Sequence, residues 1–160
     1  MKNAKLHAGD WVVICDGRKA MILVNAGDEK FPNLRTKETY EQHDSPTHMQ
    51  GVDAPGRVYS STGTHRSAVE QTDWHDQEER KFLGALADRL DNALRKGETS
   101  AFIMVAAPRA LGMIRRCYSP AVRHAIRAEV GKEYIHMPLH EIENKLAELD
   151  TEALHGNAEF

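Results

Sequence analysis

Three short stretches of apolar and alternating residues open the chain. Trp11–Cys15 (WVVIC) is rich in β-branched side chains, and residues 18–25 (RKAMILVN) form a second such run. Asp16-Gly17 stands between them. Two apolar runs around Asp-Gly predict a β-hairpin whose type I′ turn has positive φ at both central residues. Gly27-Asp28 then predicts a second turn. Residues 34–40 (LRTKETY) alternate Leu, Thr and Thr with charged side chains, which predicts a third strand with one wet face.

The pattern then changes. Residues 43–72 hold Pro46, Gly51, Pro55, Gly56 and Gly63 among Ser, Thr and His, without periodicity. They read as a long exposed excursion. Asp73 is expected to open a helix, with Thr72 or Asp73 as its cap and Asp76, Glu78 and Glu79 at the favourable end of the helix dipole. Trp74 and His75 are expected as staple and capping residues there. Phe82, Leu83, Leu86, Leu90, Ala93 and Leu94 form its apolar face, and Gly97 suits the position just past its end.

Residues 101–107 (AFIMVAA) are continuously apolar over a strand length, as in a strand covered on both faces. Pro108 ends that run. Residues 109–118 predict a helix with Leu111, Ile114 and Cys117 inward. Ser119-Pro120 marks another helix start. Ile126, Ala128 and Val130 alternate with Arg127 and Glu129, the pattern of a strand. After Pro138, the residues Leu139, Ile142, Leu146 and Leu149 line a last amphipathic helix. The order β-β-β-loop-α-β-α-β-α predicts an α/β fold: a mixed, partly parallel sheet of about five strands with helices on both faces. At 160 residues, the chain is expected to be a single domain over 1–150 with a frayed tail at 151–160.

Composition narrows the function classes. No apolar run approaches the ~20 residues that span a bilayer. Residues 1–10 (MKNAKLHAGD) carry no apolar signal segment. Cys15 and Cys117 are the only cysteines, too few for a disulfide framework or a Cys-based zinc site. A cytoplasmic location is therefore expected, without membrane contact. A net charge of −3 argues against bulk binding of polyanions.

Candidate chemistry is sparse. Neither GxxxxGK[ST] nor GxGxxG occurs, and Asp16-Gly17-Arg18 is explained by turn geometry. No GxSxG is present. Cys15 reads as inert packing. His136 and His140 are four apart, but Pro138 between them disfavours one helix face, and no third ligand has a supporting spacing, so no metal site and no cofactor are expected. What remains is charge. Residues 109–132 hold Arg109, Arg115, Arg116, Arg123, Arg127 and Lys132 against one acid, Glu129. Arginine suits bidentate phosphate recognition, so these five arginines, with Arg57 as a contact from the excursion, are the candidate nucleic-acid or phosphate-binding residues. The competing reading is a solvated face whose arginines pair with neighbouring acids.

Several segments, taken in order, carry a resemblance. WVVICDGRKAMIL at 11–23, PGR at 55–57, the acidic His-bearing stretch at 75–79, FIMVAAPRALGMIR at 102–115 and AEVGKEYIHMPLHEIENKL at 128–146 resemble the bacterial host attachment family. That family is similar to the middle domain of archaeal and eukaryotic release factors and of Pelota. The resemblance implies a release-factor-like α/β sandwich of the translational machinery. Release factors hydrolyse peptidyl-tRNA with Gly-Gly-Gln, a tripeptide this chain does not contain. The expected function is a non-enzymatic binding module for ribosomal RNA, tRNA or a ribosome-bound protein, with any role in attachment indirect. The alternatives are a cell-surface attachment factor, or a small hydrolase with an unrecognised site, which converging acids in a pocket, or His75 beside Asp76 or Glu79 facing a cleft, would favour.

Overall fold

The computed structural model describes the backbone of residues 6–42 and 64–157, and side chains within 6–42 and 73–148. Among the described residues five strands and four helices run in the order β1 (Trp11–Cys15), β2 (Lys19–Asn25), β3 (Leu34–Glu41), α1 (Thr64–Arg95), β4 (Phe102–Ala106), α2 (Pro108–Arg115), α3 (Pro120–Ala125), β5 (Ile126–Val130) and α4 (Leu139–Asn157). They form one mixed sheet of order β3-β2-β1-β4-β5. β2 is antiparallel to both β1 and β3, whereas β4 is parallel to both β1 and β5. The α/β fold with a partly parallel five-stranded sheet is therefore as the residue pattern predicts.

Each face of the sheet buries its own core. On one side Trp11, Val13, Cys15, Ile22, Phe102 and Met104 meet Leu83, Leu86 and Leu90 of α1, Ala110, Leu111 and Ile114 of α2, and Val122 of α3. On the other, Val12, Ile14, Leu23, Ile103 and Val105 meet Ile142 and Leu146 of α4 with Tyr134 and Ile135 before it. β1 and β4 are central strands sandwiched between helices, so every residue of each is buried and their sequences are unbroken apolar runs. Edge strand β3 buries only Leu34 and exposes most of the rest, more than an alternating strand would.

Local signals explain most boundaries. Gly97 has φ of 73°, Glu98 N–H donates to Ala93 O at 2.8 Å, and Gly97 N–H donates to Leu94 O at 3.1 Å, a Schellman end for α1. Ser119 Oγ accepts from Val122 N–H at 3.1 Å and caps α3, with Pro120 in its first turn.

Four expectations are corrected. Helix α1 starts at Thr64 and not at Asp73, so residues 64–72 of the expected excursion are helical. After Gly63 no glycine or proline occurs until Gly84, so nothing interrupts the helix upstream of the acidic residues. Trp74, His75, Asp76, Glu78 and Glu79 are consequently interior to α1, far from its dipole end. At the other terminus α4 continues through residues 151–157 of the expected tail, since Gly156 is the first breaker after Pro138. The β1–β2 connection lacks positive φ at Asp16 and Gly17. Asp16 Oδ1 instead accepts from the N–H groups of Arg18 and Lys19, each at 2.7 Å, so the side chain holds the turn. Finally, β5 does not keep Ile126, Ala128 and Val130 on one face. Phe102 pairs with Ile126 but Ile103 with Ala128, leaving Arg127 as the extra residue of a bulge that moves the later residues to the α4 side. The rest of the excursion, residues 43–63 with Arg57, lies outside the described residues.

Candidate functional site

In an open α/β sheet the loops beyond the carboxyl ends of parallel strands are the natural place for a ligand. Here those ends are Cys15, Ala106 and Val130, and each is followed by polar residues: Asp16-Gly17, Pro108-Arg109 and Gly131 to Glu133.

Arg109 enters from the first turn of α2. Its Nη1 lies 2.7 Å from Glu79 Oε1, and its Nη2 donates to Asp76 Oδ1 at 2.7 Å. Asp76 and Glu79 are three apart on α1 and so share a face. The paired carboxylates, Glu79 foremost, push the Arg109 guanidinium above its usual pKa. Glu79 in turn rests on Gly17, where a Cβ would collide with its carboxylate. Helices α1 and α2 are thereby clasped over the β1–β2 turn. The same pairing uses up Asp76 and Glu79, and His75 stands edge-on to Trp74 at 5.3 Å, so the acids considered for a hydrolase are turned to a structural cation.

Between α1 and α2 runs a groove of about 520 Å³ lined by Arg80, Pro108, Arg109, Gly112, Met113, Arg116 and Cys117. Among the described residues three guanidinium groups and no acid line it. Gly112 places no side chain in it. Arg80 and Arg116 are exposed, and neither has an ion-pair partner among the described residues. Cys117, expected inward, is half-buried and lines the groove, with its thiol donating to Met113 O at 3.7 Å.

The other candidate arginines divide. Arg115, at the end of α2, makes a forked pair with Glu129 on β5, its Nη2 at 3.0 Å from Oε1. Glu129 also accepts from the hydroxyl of Tyr118, and burial, then Glu129, pushes that phenol above its usual pKa. Arg123 on α3 is exposed and donates to the carbonyl of Arg115 at 3.4 Å. Of these, Arg116 lines the groove, whereas Arg115 and Arg123 lie outside its lining. Arg127 sits at the opposite, amino end of the sheet, its guanidinium against the buried carboxylate of Asp10. Burial lowers the Arg127 pKa from its ordinary value. Sequence proximity had grouped it with the others, and the bulge in β5 turns it inward. The candidate arginines therefore divide: Arg109, Arg115 and Arg127 pair with acids, as the competing reading expects, whereas Arg116 and Arg123 are exposed and have no ion-pair partner among the described residues.

A second constellation was not foreseen. Asp16, Glu133 and His136 present ligand atoms all within 4.8 Å of one another. Asp16 is 117 positions from Glu133, so no local spacing signals the grouping. His136 and Glu133 flank the buried pair Tyr134-Ile135, in a turn closed by Met137 N–H donating to Tyr134 O at 3.0 Å.

Comparison with solved structures finds an archaeal protein at a TM-score of 0.44 and 12% identity, over 94% of this chain and 38% of its own. It also finds the archaeal translation termination factor aRF1 at a TM-score of 0.44 and 9% identity, over 92% of this chain and 41% of its own. The chain spans about two fifths of the length of these structures. No curated protein sequence matches it. The model of the family described as "Protein required for attachment to host cells" matches residues 11–146, and the chain belongs to that family.

Proposed function

We propose that this chain is a non-enzymatic binding domain whose α1–α2 groove receives phosphate groups of RNA. Its partner in this reading is ribosomal RNA, tRNA or a ribosome-bound complex, and the attachment named in the family description is an indirect consequence. The observation that carries the reading is the groove lined by the exposed Arg80 and Arg116, which have no ion-pair partner among the described residues, beside an Arg109 already paired with Asp76 and Glu79. Planar guanidinium groups at a concave surface match phosphate oxygens two at a time. Arg109, gripped by Asp76 and Glu79, fixes one wall of the groove, and Arg80 and Arg116 are the cations that face a phosphate. Arg123 adds an exposed cation on α3, next to Arg115, whose own charge is paired with Glu129. Arg57 would add to it from the excursion.

Co-sedimentation with ribosomes across a salt series tests this. Wild-type protein should pellet with ribosomes at low salt and lose binding steeply as salt rises, because each phosphate contact releases counterions. The Arg80→Glu/Arg116→Glu double variant, changed only at exposed positions, should fold normally and fail to pellet. Absence of wild-type binding at low salt, or equal binding by the double variant, would overturn the reading.

A further inference from the structure

We propose that Asp16, Glu133 and His136 form a binding site for one divalent first-row transition-metal ion, of the Mn²⁺ or Zn²⁺ class. The three donors are one imidazole nitrogen and two carboxylate oxygens, all within 4.8 Å of one another, near enough that small side-chain rotations bring them to the roughly 2.0–2.2 Å bond lengths of one shared ion. Three features of the surroundings support the assignment.

First, the carboxylates lack compensation. Neither Asp16 nor Glu133 has an ion-pair partner among the described residues, although they lie close together. Two like charges at this separation repel, and a cation between them removes that repulsion. Second, the donors are held. Asp16 Oδ1 is fixed by the N–H groups of Arg18 and Lys19 at 2.7 Å, which leaves Oδ2 for an ion. Such outer hydrogen bonds orient metal ligands and sharpen affinity. Glu133 and His136 flank Tyr134 and Ile135, whose burial beside α4 pins the turn. Third, the site stands at the carboxyl edge of the parallel strands, between the loops after β1 and β5.

The donor set also selects the ion. Ca²⁺ takes six to eight oxygen ligands, and Mg²⁺ is usually bound through carboxylates and water. An imidazole beside two carboxylates suits Mn²⁺, Fe²⁺ or Zn²⁺. Three protein donors leave coordination positions open to solvent, and Glu133 and His136 are both exposed. Those positions can take water or an oxygen of an anionic ligand.

The test is titration of metal-stripped full-length protein with Mn²⁺, followed by electron paramagnetic resonance, and with Zn²⁺ by calorimetry. One equivalent of ion should bind. Asp16→Asn keeps an acceptor oxygen for the turn, and it should weaken binding at least tenfold, as should Glu133→Gln and His136→Ala. His140→Ala, at the neighbouring exposed histidine, should bind like wild type. Absence of stoichiometric binding up to about 1 mM ion, a range in which only weak association would go undetected, overturns the proposal. So does unchanged binding in Glu133→Gln, or a loss confined to His140→Ala.

Discussion

Gly17 lies directly beneath the carboxylate of Glu79, with no space between them for a Cβ. Glu79 is not free to swing away, because Arg109 grips it from α2. Gly17→Ala should therefore displace Glu79 and loosen the clasp between α1, α2 and the β1–β2 turn. A loss of roughly 1–3 kcal/mol in urea unfolding is expected, the usual range for a steric intrusion at a buried position such as Gly17. Adding Glu79→Ala to Gly17→Ala should recover part of that loss, giving a coupling energy in the double-mutant cycle. Purely additive effects would mean that the two residues do not press on each other.

At the amino end of the sheet, Asp10 and Arg127 form a buried ion pair, and Asp10 also accepts from His7 N–H at 2.7 Å. Removing one member of a buried pair leaves the other charge desolvated and alone. Asp10→Ala should cost about 3 kcal/mol in unfolding free energy. Arg127→Met leaves the more deeply buried Asp10 carboxylate unpaired and should cost a comparable amount, whereas the Asp10→Asn/Arg127→Met double variant, which removes both charges, should cost much less. Because Arg127 is turned inward, Arg127→Met should also leave ribosome co-sedimentation at the wild-type level. A drop in binding with unchanged stability would return Arg127 to the proposed phosphate-binding surface.

The contrast between Arg127 and Arg116 shows what the residue pattern can and cannot carry. Strands β1 and β4 are legible because full burial between helices demands uninterrupted apolar residues. The ends of α1 at Gly97 and the start of α3 at Ser119-Pro120 are legible because local backbone chemistry alone fixes them. Side-chain direction in β5 is not, since one extra residue in a bulge reverses the face and depends on register with β4. The upstream limit of α1 is misread for a related reason. Asp, Glu and Thr make good caps, yet a helix already under way carries them equally well, and here a partner on α2 explains Asp76 and Glu79. The Asp16, Glu133 and His136 grouping arises only when the loops after β1 and β5 meet, so spacing along the chain holds no trace of it.

Acid stability offers a third test. Arg89 on α1 bridges Glu38 of β3 and Glu98, its Nη1 donating to Glu98 Oε2 at 3.0 Å. Hydrogen bonding to Arg89 is the main reason both carboxyls are held below the ordinary glutamate pKa. A depressed native pKa means that the unfolded chain binds protons first. The stabilisation is present above the ordinary glutamate value of about 4.3 and disappears as pH falls through the lower native values. Wild-type melting temperature should fall across that acid range. In Arg89→Met the fall should be shallower, with the two proteins converging at the lowest pH. Parallel curves for the two proteins would show that Arg89 does not set these titrations.

The two thiols give a direct readout of the groove. Cys15 is buried in β1, and burial, reinforced by Asp16, raises its pKa to about 12. A thiol that is both protonated and enclosed does not react. Cys117 lines the groove and is only partly covered. Native protein should therefore take up one equivalent of iodoacetamide at pH 8, and Cys117→Ser should take up almost none until denatured. If RNA occupies the groove, it should slow labelling of Cys117 at low salt, and the protection should vanish at high salt as phosphate contacts are released. The Arg80→Glu/Arg116→Glu protein should label at the same rate with and without RNA. Labelling of wild type that RNA leaves unchanged, under conditions where the two co-sediment, would place the RNA contact elsewhere on the molecule.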